Sequence, residues 1–334
     1  MITPQAPIVE PTNLNVTSEV QAAEQWQRDD VNHILKEIFL RHLVNGTIKQ
    51  NEQKGVATGV TITDLASQRT LVGHNQDTEH FAASVNKIPV ALLILEDLRA
   101  GGLQLDQVMT WQLSDVRAGF GTYDQPGAPL QATLREVLHD MLNRSGNTAV
   151  RILVNGALGG SANVNARFAA KPQLSHTYLI PLDANRFFLG NSTSRDSLWA
   201  FEQLMKKQDK YAKVMKNSLT TNIFADYGVR SQLAGNNYIV LANKIGLLDD
   251  VEGNNRHDVG IVYNTKTHKS YGYSFFTTAP YNETDPSATT QADQSLKDMG
   301  RYLLRFAGDK RQHQDGAPHT LRSQPLPIEQ RVLY

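Results

Sequence analysis

The sequence predicts an α/β fold of the α+β type, in which one mostly antiparallel sheet is flanked by terminal helices and an all-helical lobe is inserted between its strands. Three observations lead to this fold class. Short β-branched and aromatic runs occur near both ends of the chain, helical periodicity fills the middle, and an amphipathic helix lies close to each end. Strands separated in this way pack most simply as one sheet that both ends of the chain build together.

Composition narrows the range of functions. The chain has 334 residues and 40% of them are apolar, so it can bury the core of one large domain. Its 33 basic residues balance 33 acidic ones, which gives no net field that would attract nucleic acid or an anionic membrane. The absence of cysteine excludes disulfides, thiol catalysis and thiolate metal sites. Because no apolar run is long enough to span a membrane and the histidines form no metal-ligand pattern, we expect no membrane span, metal or other cofactor.

The N-terminal region is expected to contain a tether and a long helix. Residues 1–20 are polar and include three prolines, which predicts an extended lead-in. Helical spacing from residue 19 to about residue 44 predicts an amphipathic helix, and Asn45-Gly46 predicts its end. The apolar positions of this helix are Val20, Trp26, Val31, Ile34, Leu35, Ile38, Phe39 and Leu43.

The next part of the chain changes from strands to helices. Two β-branched runs predict an antiparallel pair, and a helix that begins with a serine is expected to end at a glycine pair. Further helices are predicted before a long irregular stretch and after it, and a connection of that length in a compact domain is usually functional or mobile. The predicted ranges are 55–65 and 70–75 for the strands, 84–99, 133–142, 149–158, 162–170 and 194–216 for the helices, and 172–190 for the irregular stretch.

The last part of the chain returns to strands. Segments 237–246, 258–264 and 271–279 predict three strands, and a helix is expected from about 288 to 306. We therefore expect one domain over residues 21–306. Its sheet lobe comprises about 21–76 and 236–306, its helical lobe comprises about 77–235, and residues 307–334 form a loosely attached tail.

The chemistry is expected to centre on the segment FAASVNKI, residues 81–88. Ser84 and Lys87 are three residues apart at the opening of a predicted helix, so they share a face. A serine hydroxyl needs an adjacent base, and a desolvated lysine can serve as one, so Ser84 is the candidate nucleophile and Lys87 the candidate base. Taken alone, the same tetrad also fits a helix cap followed by a solvated lysine.

Two further short segments strengthen the catalytic interpretation. Ser145-Gly146-Asn147 lies in a turn before a helix, and Lys244-Ile245-Gly246 lies at the end of a strand. Taken singly, the first fits a helix cap and the second a solvated strand lysine. In this order, with Ser84 and Lys87 first, the three segments resemble the signature of serine β-lactamases and penicillin-binding proteins. The resemblance is closest to the class A β-lactamases, covers about residues 30–306 and includes the run TLREVLHDMLNRSGNTAV.

The resemblance implies a β-lactamase/transpeptidase-like fold and a set of roles. Ser84 would be acylated while Lys87 takes its proton, and Ser145 would relay a proton to the leaving group. The Asn147 amide would hold the acyl-side carbonyl of the substrate and steady Lys87. Lys244 would add positive charge and attract a substrate carboxylate.

The resemblance also implies a substrate-binding edge. Gly246 and Leu247 would contact the substrate, and the N–H groups of Ser84 and Leu247 would form an oxyanion hole. Gly146 stands where the family has an aspartate whose role is mainly structural.

Two departures from the family pattern bear on turnover. The family carries a glutamate on the loop before the third segment, and here that loop offers only Asp183 and His176 as titratable substitutes. Without a general base, the acyl-enzyme is expected to persist. Ile245 replaces a hydroxyl residue that binds the β-lactam carboxylate, so carboxylate binding is weakened. Arg256 either compensates in part for the hydroxyl missing at position 245 or is an ordinary arginine at the start of a strand.

Two functions follow. The first is a serine hydrolase that forms an acyl-enzyme at Ser84 from a β-lactam or a peptidoglycan-type amide or ester and releases it slowly. The alternative is a cell-wall binding or regulatory module that keeps the cleft and has lost turnover. Either would be a monomer that binds a small-molecule or peptidoglycan-derived partner and no nucleic acid. The resemblance implies an extracytoplasmic bacterial protein, although residues 1–20 lack the pattern of a signal peptide.

Overall fold

The fold is that of a computed structural model that describes residues 16–183, 185–250, 253–282 and 285–308. It confirms the predicted fold class: a five-stranded antiparallel sheet is flanked by the N- and C-terminal helices and joined to a helical region. Residues 1–15 of the expected lead-in and 309–334 of the expected tail lie outside the described residues.

The helices alternate with short strands through the middle of the chain. The helices are α1 (Val16–Gln53), α2 (Lys87–Ala100), α3 (Leu134–Asn143), α4 (Asn147–Ile152), α5 (Ser161–Ala169), α6 (Ser194–Lys206), α7 (Lys210–Thr220) and α8 (Ser287–Ala307). The strands are β1 (Ala57–Asp64), β2 (Arg69–His74), β3 (His80–Phe81), β4 (Val108–Thr110), β5 (Gln131–Thr133), β6 (Ile180–Pro181), β7 (Phe187–Phe188), β8 (Asn191–Ser192), β9 (Ile239–Asp250), β10 (Gly253–Asn264) and β11 (Ser270–Ala279).

Both ends of the chain build the main sheet, as the sequence predicts. Its strand order is β2-β1-β11-β10-β9, so the last strand in sequence lies between the first hairpin and the other late strands. Val60 of β1 lies opposite Phe275 of β11, and Val259 of β10 lies opposite Lys244 of β9. Strand β9 is therefore at one edge of the sheet, where its backbone and side chains can face a cleft.

Two apolar cores hold the layers together. Helices α1 and α8 cover one face of the sheet, where Val44, Tyr273 and Leu303 are buried in a common core. Helix α6 packs on the other face, and its Phe201 belongs to a larger core that continues through the helical region. No helix in the described part of the chain is both long enough and apolar enough to cross a bilayer.

Helix α1 differs from its prediction in both length and orientation. It begins at Val16 and continues through Asn45-Gly46 to Gln53. A glycine in a helix interior costs about 1 kcal/mol relative to alanine, and burial of Val44 and Ile48 on either side of Gly46 offsets it. Among the apolar positions of the expected stripe, Val31, Ile34, Leu35, Ile38 and Phe39 are each more than half exposed and do not face the sheet.

Three other predicted segments differ from the structure in their boundaries or content. The predicted helix over 194–216 is two helices, since the Asp209 carboxylate accepts hydrogen bonds from the first backbone N–H groups of α7 and starts a new helix there. The predicted helix over 149–158 ends at Ile152 and continues as a wider π-type turn over Leu153–Ala157. The irregular stretch over 172–190 contains a small hairpin formed by β6 and β7.

Two histidines, His80 on β3 and His257 on β10, are buried next to the candidate nucleophile turn. His257 stacks on the ring of Phe276 with centroids 4.2 Å apart, and its Nε2 lies 2.8 Å from the carbonyl oxygen of Phe81. Its Nδ1 accepts a hydrogen bond from the backbone N–H of Thr277 at 3.2 Å. Burial lowers the pKa of His257 to about 3 and the pKa of His80 to about 4.

These two histidines should make the fold sensitive to acid. Their pKa values are near 6.5 in the unfolded chain and lower in the folded one, so the unfolded state binds protons first and stability falls as the pH drops below 6.5. We expect each histidine to account for roughly 2–3 kcal/mol of lost unfolding free energy between pH 7 and pH 4.5. Urea unfolding at both pH values, in the wild type and in His80→Gln, measures this. Equal pH dependence in the two proteins would contradict the assignment.

Candidate active site

Ser84 lies on a 3-10 turn, Ala83–Asn86, between β3 and α2. Helix α2 begins at Lys87, so Ser84 precedes the α-helix that the sequence assigns to it. Residues three apart are eclipsed in a 3-10 turn, so the predicted pairing of Ser84 with Lys87 is retained. Ala83 has a φ angle of +46°, a left-handed conformation that is costly for a residue with a side chain and is often found at functional sites.

The amine of Lys87 is fully buried among oxygen acceptors. Its Nζ lies 3.0 Å from Ser84 Oγ, and it donates to the Ser145 carbonyl at 2.5 Å and to Asn147 Oδ1 at 2.9 Å. Burial lowers the pKa of Lys87 to about 7, although the negative charges of Asp124 and Asp140 oppose this shift. A large share of Lys87 is therefore neutral near neutral pH, as a general base must be.

The turn that carries Ser145 and Asn147 is held by a carboxylate that the sequence did not single out. Asp124 accepts hydrogen bonds from the backbone N–H groups of Asn147 at 3.0 Å and Thr148 at 2.7 Å, which caps the start of α4. Ser145 has a φ angle of +61°, so this capped turn also holds a left-handed residue. The side chains of Ser145 and Asn147 are thereby aimed at Lys87.

Gly146 is required because a second carboxylate occupies the space beside it. A Cβ atom at position 146 would lie 2.1 Å from Asp140 Oδ2. Asp140, on α3, accepts a hydrogen bond from the backbone N–H of Thr122 at 2.6 Å and so ties α3 to the loop that carries Asp124. The Oδ2 atom of Asp140 therefore occupies the space that a side chain at position 146 would enter.

Lys244 of β9 completes the cluster from the sheet side. Its Nζ donates to Ser145 Oγ at 2.7 Å and to the Ile245 carbonyl at 2.9 Å, and it lies 5.8 Å from the ring centre of Phe224. Burial and the charge of Lys87 lower the pKa of Lys244 well below its usual range, while Asp258 opposes the shift. Two amines thus share one serine hydroxyl, and charging both at once is unfavourable.

A buried polar network supports β9 behind Lys244. Asn243 Nδ2 donates to Asp258 at 2.9 Å, and the Tyr273 hydroxyl donates to the same oxygen at 3.0 Å. Arg230 donates to Asn243 Oδ1 from two nitrogens, at 3.0 and 2.9 Å. Burial raises the pKa of Asp258 to about 6, although these hydrogen bonds favour its charged form. The network therefore holds Asn243, the residue directly before Lys244, in one position.

Strand β9 approaches the nucleophile turn at Gly246. A Cβ atom at this position would lie 2.7 Å from the Ala82 carbonyl oxygen and 3.3 Å from the Val85 nitrogen. Only glycine permits this contact without a backbone shift. The next residue, Leu247, lines the same cleft as Ser84, as the oxyanion-hole expectation requires.

Asn86 attaches residues 189–191, which lie between α5 and α6, to the nucleophile turn. Its buried Nδ2 donates to the Asn191 carbonyl at 3.0 Å and also contacts the Leu189 carbonyl. Gly190 lies between these residues with a φ angle of +65°, and a Cβ atom there would be 2.0 Å from the Tyr178 carbonyl. This stretch is therefore an ordered wall of the site.

Part of the predicted set lines one cleft of about 1050 Å³, and Lys87 and Lys244 contact the lining serines Ser84 and Ser145 from behind it. Ser84, Ser145, Asn147, Ile245 and Leu247 line it. Within the described part of the chain, none of its twenty lining residues is aspartate or glutamate, and fourteen are apolar.

Asp183 and Arg256 do not line this cleft, and each is paired with charged neighbours. Asp183 is exposed, and its carboxylate is paired with Arg186, on the hairpin of β6 and β7. Backbone N–H groups and Arg186 hold the pKa of Asp183 below its usual range. Arg256 pairs with Asp249 at 2.5 Å and with Asp293 at 2.9 Å, so its guanidinium is already neutralised. Neither residue is among those that line the cleft.

No group of three or more metal-ligating side chains is present among the described residues. The contacts around Ser84 bring together a serine hydroxyl, two buried amines and an amide. This set can accept a proton from Ser84, pass it through Ser145 and stabilise an acyl group on Ser84 Oγ.

Comparison with solved structures identifies the fold. A β-lactamase from Sphaerobacter thermophilus DSM 20745 matches with a TM-score of 0.66 and 20% identity over 80% of this chain and 97% of that one. A β-lactamase from Burkholderia vietnamiensis matches with a TM-score of 0.66 and 18% identity over 80% and 96%. A structure described as PBP-A has a TM-score of 0.66 and 18% identity over 79% and 95%.

Sequence comparison identifies the family. No curated protein matches this sequence. Residues 40–305 match the sequence profile of the beta-lactamase enzyme family, and this range includes all three segments of the site. The chain belongs to the beta-lactamase enzyme family.

Proposed function

We propose that this chain is a serine hydrolase that forms an acyl-enzyme at Ser84 from a β-lactam or a peptidoglycan-type amide or ester. The observation that carries the proposal is the contact between Ser84 Oγ and Lys87 Nζ, 3.0 Å long, in which the amine is fully buried and has a pKa of about 7. A nucleophile within hydrogen-bond reach of a neutral base is what serine acyl transfer requires.

Acylation begins when Ser84 Oγ attacks the substrate carbonyl and Lys87 Nζ takes its proton. The developing oxyanion is stabilised by the backbone N–H groups of Ser84 and Leu247, which belong to the two segments that meet at Gly246. Loss of one such donor typically costs about 3–4 kcal/mol of barrier stabilisation.

The leaving group receives its proton through Ser145. Ser145 Oγ is within hydrogen-bond distance of both amines, at 3.2 Å from Lys87 Nζ and 2.7 Å from Lys244 Nζ. A proton taken from Ser84 can therefore move from Lys87 through this hydroxyl to the departing nitrogen or oxygen. Asn147 steadies Lys87 and presents its amide to the acyl side of the substrate.

Release of the acyl group is the slow step in this proposal. Deacylation needs a base that activates water, and such a base typically contributes roughly 10²- to 10⁴-fold. No carboxylate belongs to the described lining of the cleft, and Asp183 is paired with Arg186. The alternative function, a binding or regulatory module without turnover, fits best if Lys87 stays charged, and the lowered pKa of Lys87 favours the enzyme. An extracytoplasmic location is part of the proposal because it is usual in the family.

The pH dependence of acylation tests the role of Lys87. Because the neutral amine is the base, we expect the acylation rate with p-nitrophenyl acetate to rise with pH through a midpoint near 7. Below pH 6 the rate should fall about tenfold per pH unit. The measurement is the burst of p-nitrophenolate between pH 5 and pH 9, with Ser84→Ala as the background. A flat profile would rule out Lys87 as the base.

The lifetime of the acyl-enzyme tests the slow step. After brief exposure to a penicillin, we expect intact-mass spectrometry to show one covalent adduct on the wild type and none on Ser84→Ala. The adduct should decay over minutes to hours, because help from a loop carboxylate is missing. Rapid steady hydrolysis without a detectable adduct would show that another group activates water.

A further inference from the structure

We propose that this chain associates with a second copy of itself through the exposed apolar face of α1, in a two-fold symmetric contact centred on Leu35. The association is independent of the chemistry at Ser84, and it replaces the expectation that the chain is a monomer. We call this surface the α1 stripe. It comprises Val31, Ile34, Leu35, Ile38 and Phe39.

Helix α1 is apolar on two opposite faces. One face packs on α8, β1 and β2, and its Leu40, Val44 and Ile48 are buried there. The α1 stripe lies on the other side of the helix axis, because Leu35 and Val44 are about half a turn apart when a turn takes roughly 3.6 residues. A helix that is apolar all round is normally buried. Within the described part of the chain, only one of the two faces of α1 is covered.

The area of the α1 stripe is sufficient for a reversible dimer. Its five side chains are between 55% and 59% exposed. Side chains of this size and exposure each leave roughly 100 Å² in water, so the stripe presents about 500 Å², a size that often marks an interaction surface. Two copies in contact would bury about 1,000 Å², which is near the lower limit for a specific interface.

The side chains of the stripe form two parallel ridges. Val31, Leu35 and Phe39 follow one another at intervals of four residues, and Ile34 and Ile38 form the neighbouring ridge. Ridges of this spacing fit into the grooves of a second helix when the two axes cross at about 50°. The stripe is only about 12 Å long at a rise of 1.5 Å per residue, which suits an inclined crossing better than a long coiled coil.

The order of side-chain sizes favours a second copy over an unrelated helix. With Leu35 on a two-fold axis and the helices antiparallel, Val31 of one copy faces Phe39 of the other. A small side chain then lies opposite a large one at both ends of the contact, which keeps the packing even. A two-fold contact of this kind uses the same surface on both copies and closes on itself.

Three polar neighbours of the stripe are directed toward the domain. Arg41 Nε donates to the Leu71 carbonyl at 2.6 Å. Glu37 accepts a hydrogen bond from Arg69 at 2.8 Å, and the ring of His33 stacks on Phe306 with centres 5.9 Å apart. Burial of the stripe therefore does not require these groups to lose their partners, and their desolvation does not oppose it.

The molar mass of the full chain in solution tests the dimer. Between about 1 and 200 µM, we expect the mass from sedimentation to rise from 37.1 kDa toward twice that value, with a Kd of roughly 1–100 µM. Leu35→Glu places two carboxylates at the axis and should weaken association at least about 100-fold. Leu113→Glu changes a leucine that is 76% exposed on the turn Leu113–Asp115 and should leave the Kd unchanged. Both variants should keep the urea unfolding midpoint of the dilute wild type, because both positions are exposed.

Engineered cysteines test the register of the contact. The natural chain has no cysteine, so any disulfide-linked dimer reports only the introduced thiols. Leu35→Cys should form such a dimer on mild oxidation at least about tenfold faster than Leu113→Cys, because the two thiols at position 35 meet at the axis. A mixture of Val31→Cys and Phe39→Cys should cross-link faster than either variant alone. Equal rates for the mixture and the single variants would rule out the antiparallel contact.

The remaining outcomes would each overturn the proposal. A mass of 37.1 kDa up to 200 µM, or a dimer that Leu35→Glu does not weaken, would exclude the contact. A monomer in which Leu35→Cys reacts with a maleimide at least about tenfold more slowly than Leu113→Cys would show that another part of the same chain covers the stripe. A monomer that sediments with phosphatidylglycerol vesicles, but not after Leu35→Glu, would assign the stripe to a lipid surface.

Discussion

The buried amine of Lys87 is the constraint on which the site depends. A lysine without water must find hydrogen-bond acceptors or lose its charge, and this one does both. Its contacts join the nucleophile turn to the turn that carries Ser145 and Asn147, so the group that would accept a proton also holds two segments together. The left-handed residues Ala83 and Ser145 are tolerated because these contacts and the neighbouring caps fix both turns.

The second amine limits how much charge the site can carry. Lys244 shares the Ser145 hydroxyl with Lys87, and the proximity of two buried amines disfavours charging both at once. Asp258 is a buried acid behind β9, and its contacts are directed to Asn243 and Tyr273. The site therefore offers neighbouring groups between which a proton can move.

Much of the fold and the centre of the site could be predicted from the sequence, because both depend on local patterns. Short β-branched and aromatic runs located the strands of the sheet, and Ser84 still contacts Lys87 even though the helix starts three residues later than predicted. The partners of those residues were harder to predict. Asp124 and Asp140 reach their partners only when segments distant in the sequence fold together. The residues next to them in the sequence do not distinguish them from surface aspartates. The exposed apolar residues of α1 show that periodicity predicts which residues share a helix face, but not which face packs against the core.

The position of Asp140 beside Gly146 has a consequence for redesign. An aspartate introduced at position 146 would place its Cβ atom against the carboxyl group of Asp140, which would have to move. A substitution at position 146 is therefore best combined with one at position 140. The unit to redesign at this turn is the cap of α4 together with a residue of α3, and a consensus built one column at a time would separate them.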